Sequence, residues 1–265
     1  MDLLGSGREA DVYAIDEQRV LRRYRRGDDA TAEAQLMSYL AGLGYPVPHV
    51  HSASGADLIL ERLDGPTMTQ AFAAGQLGVD EGAAILADLH DRLHRLPPRP
   101  GPASGLHQLP PRPGSARGLH QLPSRTGSAG TLPARPGPAG ILNRLSSRPG
   151  PPSILHRDLH PENVMLTSRG PVVIDWHNAA EGRPAVDVCL TAIIMAQVAV
   201  DPAHPHAAAA AGFLTAFLTR VGGEPLDGLD EALDIRRADP ALTTAESAGL
   251  AAAVTPLIRG ALRSS

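Results

Sequence analysis

The spacing of apolar and polar positions changes period several times along the chain. Val12-Tyr13-Ala14-Ile15 and Arg19-Val20-Leu21-Arg22-Arg23-Tyr24 read as strands around an Asp16-Glu17-Gln18 turn, with Val20, Arg22 and Tyr24 alternating onto one face. Asp28-Asp29 then offers an N-cap for a helix running to Leu43, whose Leu36, Tyr39, Leu40 and Leu43 recur at helical spacing. Tyr45-Pro46-Val47-Pro48 ends it. Leu58-Ile59-Leu60-Glu61-Arg62-Leu63 is a further strand, stopped by Asp64-Gly65-Pro66. Residues 79–96 predict a helix with Leu86, Leu89, Leu93 and Leu96 on one stripe. Much later, Val164-Met165-Leu166-Thr167 and Val172-Val173-Ile174 are short β-branched runs about a Ser168-Arg169-Gly170-Pro171 turn, the pattern of a hairpin. Helical patterns follow near 186–199, 206–221 and 243–262. The apolar run 188–200 is 13 residues long and carries Thr191 and Gln197. A bilayer span needs roughly 20 residues, so this run reads as a core helix and no membrane association is expected.

Between these patterned regions, residues 97–153 follow a different rule. Leu96-Pro97-Pro98-Arg99-Pro100-Gly101 returns as Leu109-Pro110-Pro111-Arg112-Pro113-Gly114, a period of 13, with weaker copies from Leu122 and Leu132. Fixed periods can mark solenoids, but so short a unit, rich in Pro and Gly, cannot pack as a supersecondary repeat. The expectation is a disordered, tandemly expanded linker. It holds seven Arg and no acid, a formal +7 against −4 for the whole chain, which leaves −11 elsewhere. A basic arm of this kind can dock on a polyanion, but it has no aromatic on which a base could stack, so a solvated spacer is the reading and nucleic acid is not expected as a partner.

Composition adds three points. Hydrophobic residues make up 43% of the 265, ample for a core, but aromatics only 3%, so aliphatic side chains must fill it. All 24 basic residues are Arg. The single Cys189 excludes an intrachain disulfide, and Met1-Asp2-Leu3-Leu4-Gly5 lacks the basic and apolar regions of a signal peptide; a cytoplasmic monomer is expected.

The chemistry concentrates in His156-Arg157-Asp158-Leu159-His160-Pro161-Glu162-Asn163 and Ile174-Asp175-Trp176. Four residues separate Asp158 from Asn163, and eleven separate Asn163 from Asp175. A hairpin over this stretch brings Asn163 and Asp175 to the same end, with Asp158 on the loop just outside. Two oxygen ligands beside a free carboxylate suit Mg²⁺ and a hydroxyl nucleophile. Asp158 is assigned as base, Asn163 and Asp175 as metal ligands, and His156 as a brace for the loop. The alternative has Asp158 capping a turn and Asn163 closing an Asx-turn; the full spacing, flanked by strands, favours the site.

A nucleotide end is also legible. Gly5-Ser6-Gly7, placed before the first strand, would let backbone amides approach phosphates. Glu33 lies on the inward stripe of its helix with Leu36, Met37 and Leu40 and needs a cationic partner, for which Arg22 is the candidate; together they would clamp the α/β phosphates. His90 and His94 are four apart, a spacing that can bind zinc, but no third ligand is evident in the sequence and helix packing is the better reading.

Taken together, Gly7-Arg8-Glu9-Ala10-Asp11-Val12-Tyr13, Val20-Leu21-Arg22, Glu33, Pro46-Val47-Pro48, Leu60-Glu61-Arg62-Leu63-Asp64-Gly65, Leu89-His90 and His94, residues 156–163, Ile174-Asp175-Trp176 and Asp187 resemble the aminoglycoside phosphotransferase family. The resemblance spans most of the chain except the linker. It implies an α+β, two-lobed protein-kinase-like fold: an N-terminal nucleotide lobe over 1–64, the start of the C-terminal lobe over 65–96, the linker, and the catalytic hairpin with a helical substrate-binding part over 154–265. It also implies that Glu61 to Leu63 form the hinge that reads adenine through backbone groups, and that Asp187 braces the catalytic loop. His160 where protein kinases place Lys, Trp176-His177 after the metal Asp, and only eleven residues between Asp175 and Asp187 point to a small-molecule rather than a protein kinase. Arg22 replaces the usual phosphate-binding Lys. The expected activity is transfer of the γ-phosphate of ATP or GTP to a hydroxyl of an aminoglycoside or related amino alcohol, with Mg²⁺. A catalytically weak nucleotide-binding module is the alternative.

Overall fold

The computed structural model describes residues 1–7, 9–99, 152–222, 224, 226–239 and 242–263. Most of the repetitive segment, from residue 100 to 151, lies outside the described residues, and with it the expectation of a disordered linker.

The first five strands form one antiparallel sheet in the order β1-β2-β3-β5-β4. They are β1 (Asp2–Ser6), β2 (Ala10–Ala14), β3 (Arg19–Tyr24), β4 (Val50–Ser54) and β5 (Asp57–Glu61). Alternation in β3 decides which side chains face inward: Tyr24 and Arg22 are buried while Arg23 is exposed and pairs with Asp57 of β5. Helix α1 (Thr31–Gly42) covers the sheet with Leu36, Met37 and Leu40, all at most 1% exposed. Truncating any of the three to Ala would cost roughly 2–5 kcal/mol.

Three details differ from the sequence pattern. A strand runs through Gly5 and Ser6, so the glycine-rich turn joins β1 to β2 instead of preceding the first strand. Val50–Ser54 forms the edge strand β4; its His-Ser-Ala-Ser composition carries little apolar signal because its face is half-exposed. Asp29 does not occupy the N-cap of α1, which falls on Ala30; its carboxylate accepts instead from the Thr31 N–H at 3.0 Å and hydroxyl at 2.6 Å, one residue inside.

The chain leaves the sheet through residues 62–66 and enters a helical half. Helix α2 (Met68–Ala73) is short but closed by a capping box, with Thr67 and Gln70 exchanging side-chain-to-backbone bonds. Helix α3 (Val79–His94) buries Leu86, Leu89 and Leu93. The two ends of the repetitive segment meet here, since the Ser153 hydroxyl donates to the His94 carbonyl at 3.1 Å. Strand β6 (Ser153–Leu155) pairs with β9 (Ala180–Gly182), and β7 (Val164–Thr167) with β8 (Gly170–Val173). The turn of the second pair is Ser168-Arg169, so Gly170 and Pro171 belong to β8 and not to the turn. Gly65, at φ +86°, lies so close to this hairpin that a Cβ would sit 2.1 Å from the Leu166 carbonyl oxygen.

Helices α4 (Pro184–Val200), α5 (Ala207–Arg220), α6 (Leu229–Arg237) and α7 (Thr244–Arg263) complete the described chain. Along α4 the residues from Val186 to Ala196 are all buried, which explains an apolar run without amphipathic period. No helix among the described residues is long and apolar enough to cross a membrane. The architecture is the expected α+β one, an N-terminal antiparallel sheet followed by a helical C-terminal region.

Candidate active site

The catalytic-loop candidate begins where β6 ends. His156 is fully buried against Trp176, ring centroids 4.6 Å apart. Its Nδ1 accepts from the Asp158 N–H at 3.3 Å, so its Nε2 carries the proton and donates to the Ile174 carbonyl at 3.0 Å. Both ring nitrogens are thus spent on holding the loop against the segment after β8 that carries Asp175. Asp187, at the start of α4, accepts from the N–H groups of His156 at 3.0 Å and Arg157 at 2.7 Å. Those two bonds hold Arg157 at φ +67°, a left-handed conformation that costs a non-glycine residue about 1–2 kcal/mol.

Asn163 follows in a 3₁₀ turn (Pro161–Asn163) and is 8% exposed. Its amide nitrogen donates to the Asp158 carbonyl at 2.8 Å and reaches the Asp158 carboxylate at 3.3 Å. The Ile174 N–H donates to the Asn163 carbonyl at 3.0 Å, which sets Asp175 immediately beyond the residue paired with Asn163. Asp175 is itself left-handed, at φ +66°. The hairpin therefore brings Asp158, Asn163 and Asp175 to one end. Burial opposes ionisation of Asp158, but the neighbouring His160, His156 and Arg236 outweigh it and hold the carboxyl below its ordinary range; His160 Nε2 lies 3.7 Å from it.

The sheet contributes Arg22 and Glu33. Arg22 donates to Glu33 at 3.1 Å and, with its other terminal nitrogen, to Asp175. Glu33 also accepts from the Tyr24 hydroxyl and from the Trp176 N–H, the latter at 3.1 Å. Burial works against the Arg22 charge, yet the two carboxylates outweigh it and raise its pKa above the ordinary value. A bond from β3 to Asp175 was not anticipated, because nothing in local spacing links residues 153 apart.

The remaining site candidates are more scattered. Gly5, Ser6 and Gly7 are exposed at the β1–β2 turn, where the Gly7 N–H donates to Ala10 at 2.9 Å. The Ser6 hydroxyl donates to Asp11 at 2.8 Å. Glu9 of this turn lies 3.6 Å from His177, whose ring packs at a tilt against Tyr24, centroids 4.9 Å apart. Glu61 ends β5 with its carboxylate on Arg169 at 2.7 Å and on the His49 N–H at 3.0 Å, and Leu63 follows, half-buried, in the segment leading to the helical half.

His90 and His94 of α3, whose spacing by itself reads as helix packing, meet a third group in the fold. His94 Nε2 is 3.1 Å and His90 Nδ1 3.7 Å from Asp187, so the third acidic partner absent from the local sequence comes from α4. Burial pushes His90 down to about 3, and the hydrogen bond from His94 outweighs burial at Asp187 to keep it far below the carboxylate range.

Solved structures share this arrangement of sheet and helices. An amicoumacin kinase in complex with AMP-PNP, Ca²⁺ and Ami aligns with a TM-score of 0.54 over 98% of this chain and 88% of its own, at 14% identity. The gentamicin complex of APH(2'')-IIa aligns at 0.53, covering 98% and 89%, again at 14% identity. A choline/ethanolamine kinase family protein from Mesorhizobium loti aligns at 0.51, covering 100% and 92%, at 15% identity. The fold is thus the two-lobed, protein-kinase-like one of small-molecule kinases. Residues 2–229 match the model of the phosphotransferase enzyme family, and the chain belongs to that family. The sequence matches no curated protein.

Proposed function

We propose that the protein transfers the γ-phosphate of ATP or GTP to a hydroxyl of a small molecule such as an aminoglycoside or related amino alcohol. The observation that carries this reading is Asp158, tethered by Asn163, at the end of the hairpin that also presents Asp175. Asp158 is the base: it orients the acceptor hydroxyl and takes its proton as the new O–P bond forms and the bond to the leaving nucleoside diphosphate breaks. The depressed carboxyl is ionised at neutral pH, as this role needs.

Asn163 and Asp175 offer oxygen donors, a set that fits Mg²⁺. The Asn163 amide nitrogen is committed to Asp158, which makes its amide oxygen the atom that would meet the cation. One oxygen of Asp175 is on Arg22, leaving the other for the metal. Bound there, Mg²⁺ would neutralise charge on the β- and γ-phosphate oxygens. His156 is a positioning residue, since both of its nitrogens hold the loop. Arg22, held by Glu33, contacts the α/β phosphates, the exposed backbone at Gly5, Ser6 and Gly7 lies over them, and the backbone of Glu61 and Leu63 reads the base.

Arg22 also supports the second reading, a weak nucleotide-binding module, because its guanidinium is already bonded to the proposed metal ligand. Two variants separate the readings. Asp158→Asn is expected to keep nucleotide and Mg²⁺ affinity by calorimetry while acceptor-dependent ADP release falls by roughly 10²-fold or more. Asp175→Asn is expected to lose Mg²⁺-dependent nucleotide binding. A wild type that binds nucleotide but phosphorylates nothing in a broad panel of amino sugars and amino alcohols, with Asp158→Asn indistinguishable from it, establishes the binding module instead.

A further inference from the structure

Thr191 has one hydroxyl proton, and it goes to the Leu159 carbonyl at 2.6 Å. The contact of the same oxygen with His90 Nε2, at 3.0 Å, therefore places the ring proton on Nε2. His90, fully inside the helical half, then presents a bare lone pair at Nδ1. That atom has no hydrogen-bond partner among the described residues and faces Asp187 Oδ2 at 3.7 Å. His94 Nε2 stands 3.1 Å from the same carboxylate oxygen, where without metal it donates its proton and where a metal ion would replace that proton, and the three ligand atoms lie within 4.8 Å of one another. A lone pair aimed at a carboxylate is repulsive unless a cation lies between them.

We propose that His90, His94 and Asp187 bind a divalent transition-metal ion of the zinc class, behind the catalytic loop and separate from the nucleotide site. The donor set distinguishes the two: two imidazoles and one carboxylate suit zinc, whereas the oxygen atoms of Asn163 and Asp175 suit a harder cation. Ligands around a tetrahedral zinc sit roughly 3.3 Å apart; the two histidine atoms stand 3.1 and 3.7 Å from Asp187 and within 4.8 Å of each other, so the two rings would draw in around an ion. The outer partners are already built. His90 donates its single ring proton, on Nε2, to Thr191, and the N–H groups of His156 and Arg157 hold the Asp187 carboxylate. The His94 side chain, 10% exposed, gives the route from solvent and leaves a fourth position to water. Through Asp187 the ion ties α3 and α4 to the loop that carries Asp158. The inference rests on this cluster alone and not on the phosphotransfer reading.

The test uses the full chain, purified without a metal-affinity step and then dialysed after exposure to Zn²⁺ or Co²⁺. One equivalent of metal per chain by elemental mass spectrometry is expected, with the visible absorption bands of four-coordinate Co²⁺. Both are expected to vanish in His90→Gln and His94→Gln and to persist in Asp175→Asn. Substoichiometric metal in the wild type, metal retained in a folded His90→Gln, or metal lost in Asp175→Asn overturns the proposal. If neither histidine variant folds, the wild-type melting curve decides: Zn²⁺ must raise the midpoint relative to chelator, and an unchanged midpoint overturns it.

Discussion

Arg22 holds two carboxylates at once, and its position on β3 explains how. Alternation puts it on the buried face beside Tyr24, whose ring lies 5.0 Å from the guanidinium carbon, and its fork reaches Glu33 on one side and Asp175 on the other. The Arg22–Glu33 pair was legible because an inward-facing Glu on a helix stripe has to be neutralised. The Asp175 bond was not, because it joins the sheet to the helical half. Arg22→Ala removes one of three donors to Glu33, leaving Tyr24 and the Trp176 N–H. Loss of about 1–3 kcal/mol in denaturant unfolding is therefore expected, the cost of a buried group left short of a partner. Nucleotide affinity should fall with it. A variant with unchanged stability would place Arg22 outside the network described.

Among the elements, the β7–β8 hairpin shows how much local pattern conveys. Two β-branched runs about a short polar turn sufficed to expect it, and its register sets Val164 opposite Val173 and thereby Asn163 beside Ile174. The strands β1, β4, β6 and β9 were missed because each is short or half-exposed and is a strand only through its neighbour. Helix α2 had a readable signal, Thr67 and Gln70 at capping-box spacing, that periodicity alone passes over in six residues. The repetitive segment joins α3 to β6, whose ends are already hydrogen-bonded through Ser153 and His94. Replacing residues 101–140 with a brief Gly/Ser loop is therefore expected to leave the melting temperature nearly unchanged, since loop closure changes by only about 0.6 kcal/mol per doubling of length. A large fall in midpoint would show that the repeats contribute to the folded body.

At the scale of the whole molecule, the buried histidine couples stability to pH. His90 is pushed from its ordinary 6.5 down to about 3, so between those values the unfolded chain holds a proton that the folded one refuses. Stability is complete above pH 6.5 and declines as pH falls towards 3, with a slope of at most about 1.4 kcal/mol per pH unit from this group. Asp187, whose pKa is depressed, acts in the same sense below its ordinary 3.8, and His94 and His156 face the same carboxylate. Urea unfolding between pH 7.5 and 4.5 is expected to show this decline in the metal-free wild type and a shallower one in His90→Gln. Equal slopes in the two proteins would show that His90 is not held neutral by the fold.

The sequence by itself determined the elements with strong periodicity and the spacing of Asp158, Asn163 and Asp175. Those features depend on interactions within a few residues: side-chain alternation, turn chemistry and the geometry of one hairpin. Tertiary structure alone decided which distant groups share a proton or a charge. Arg22 meets Asp175, Glu33 meets the Trp176 N–H, and Asp187 of α4 meets two histidines of α3 together with the backbone of the catalytic loop. Burial creates these contacts, because a charge removed from water must find its partner wherever the fold has placed one.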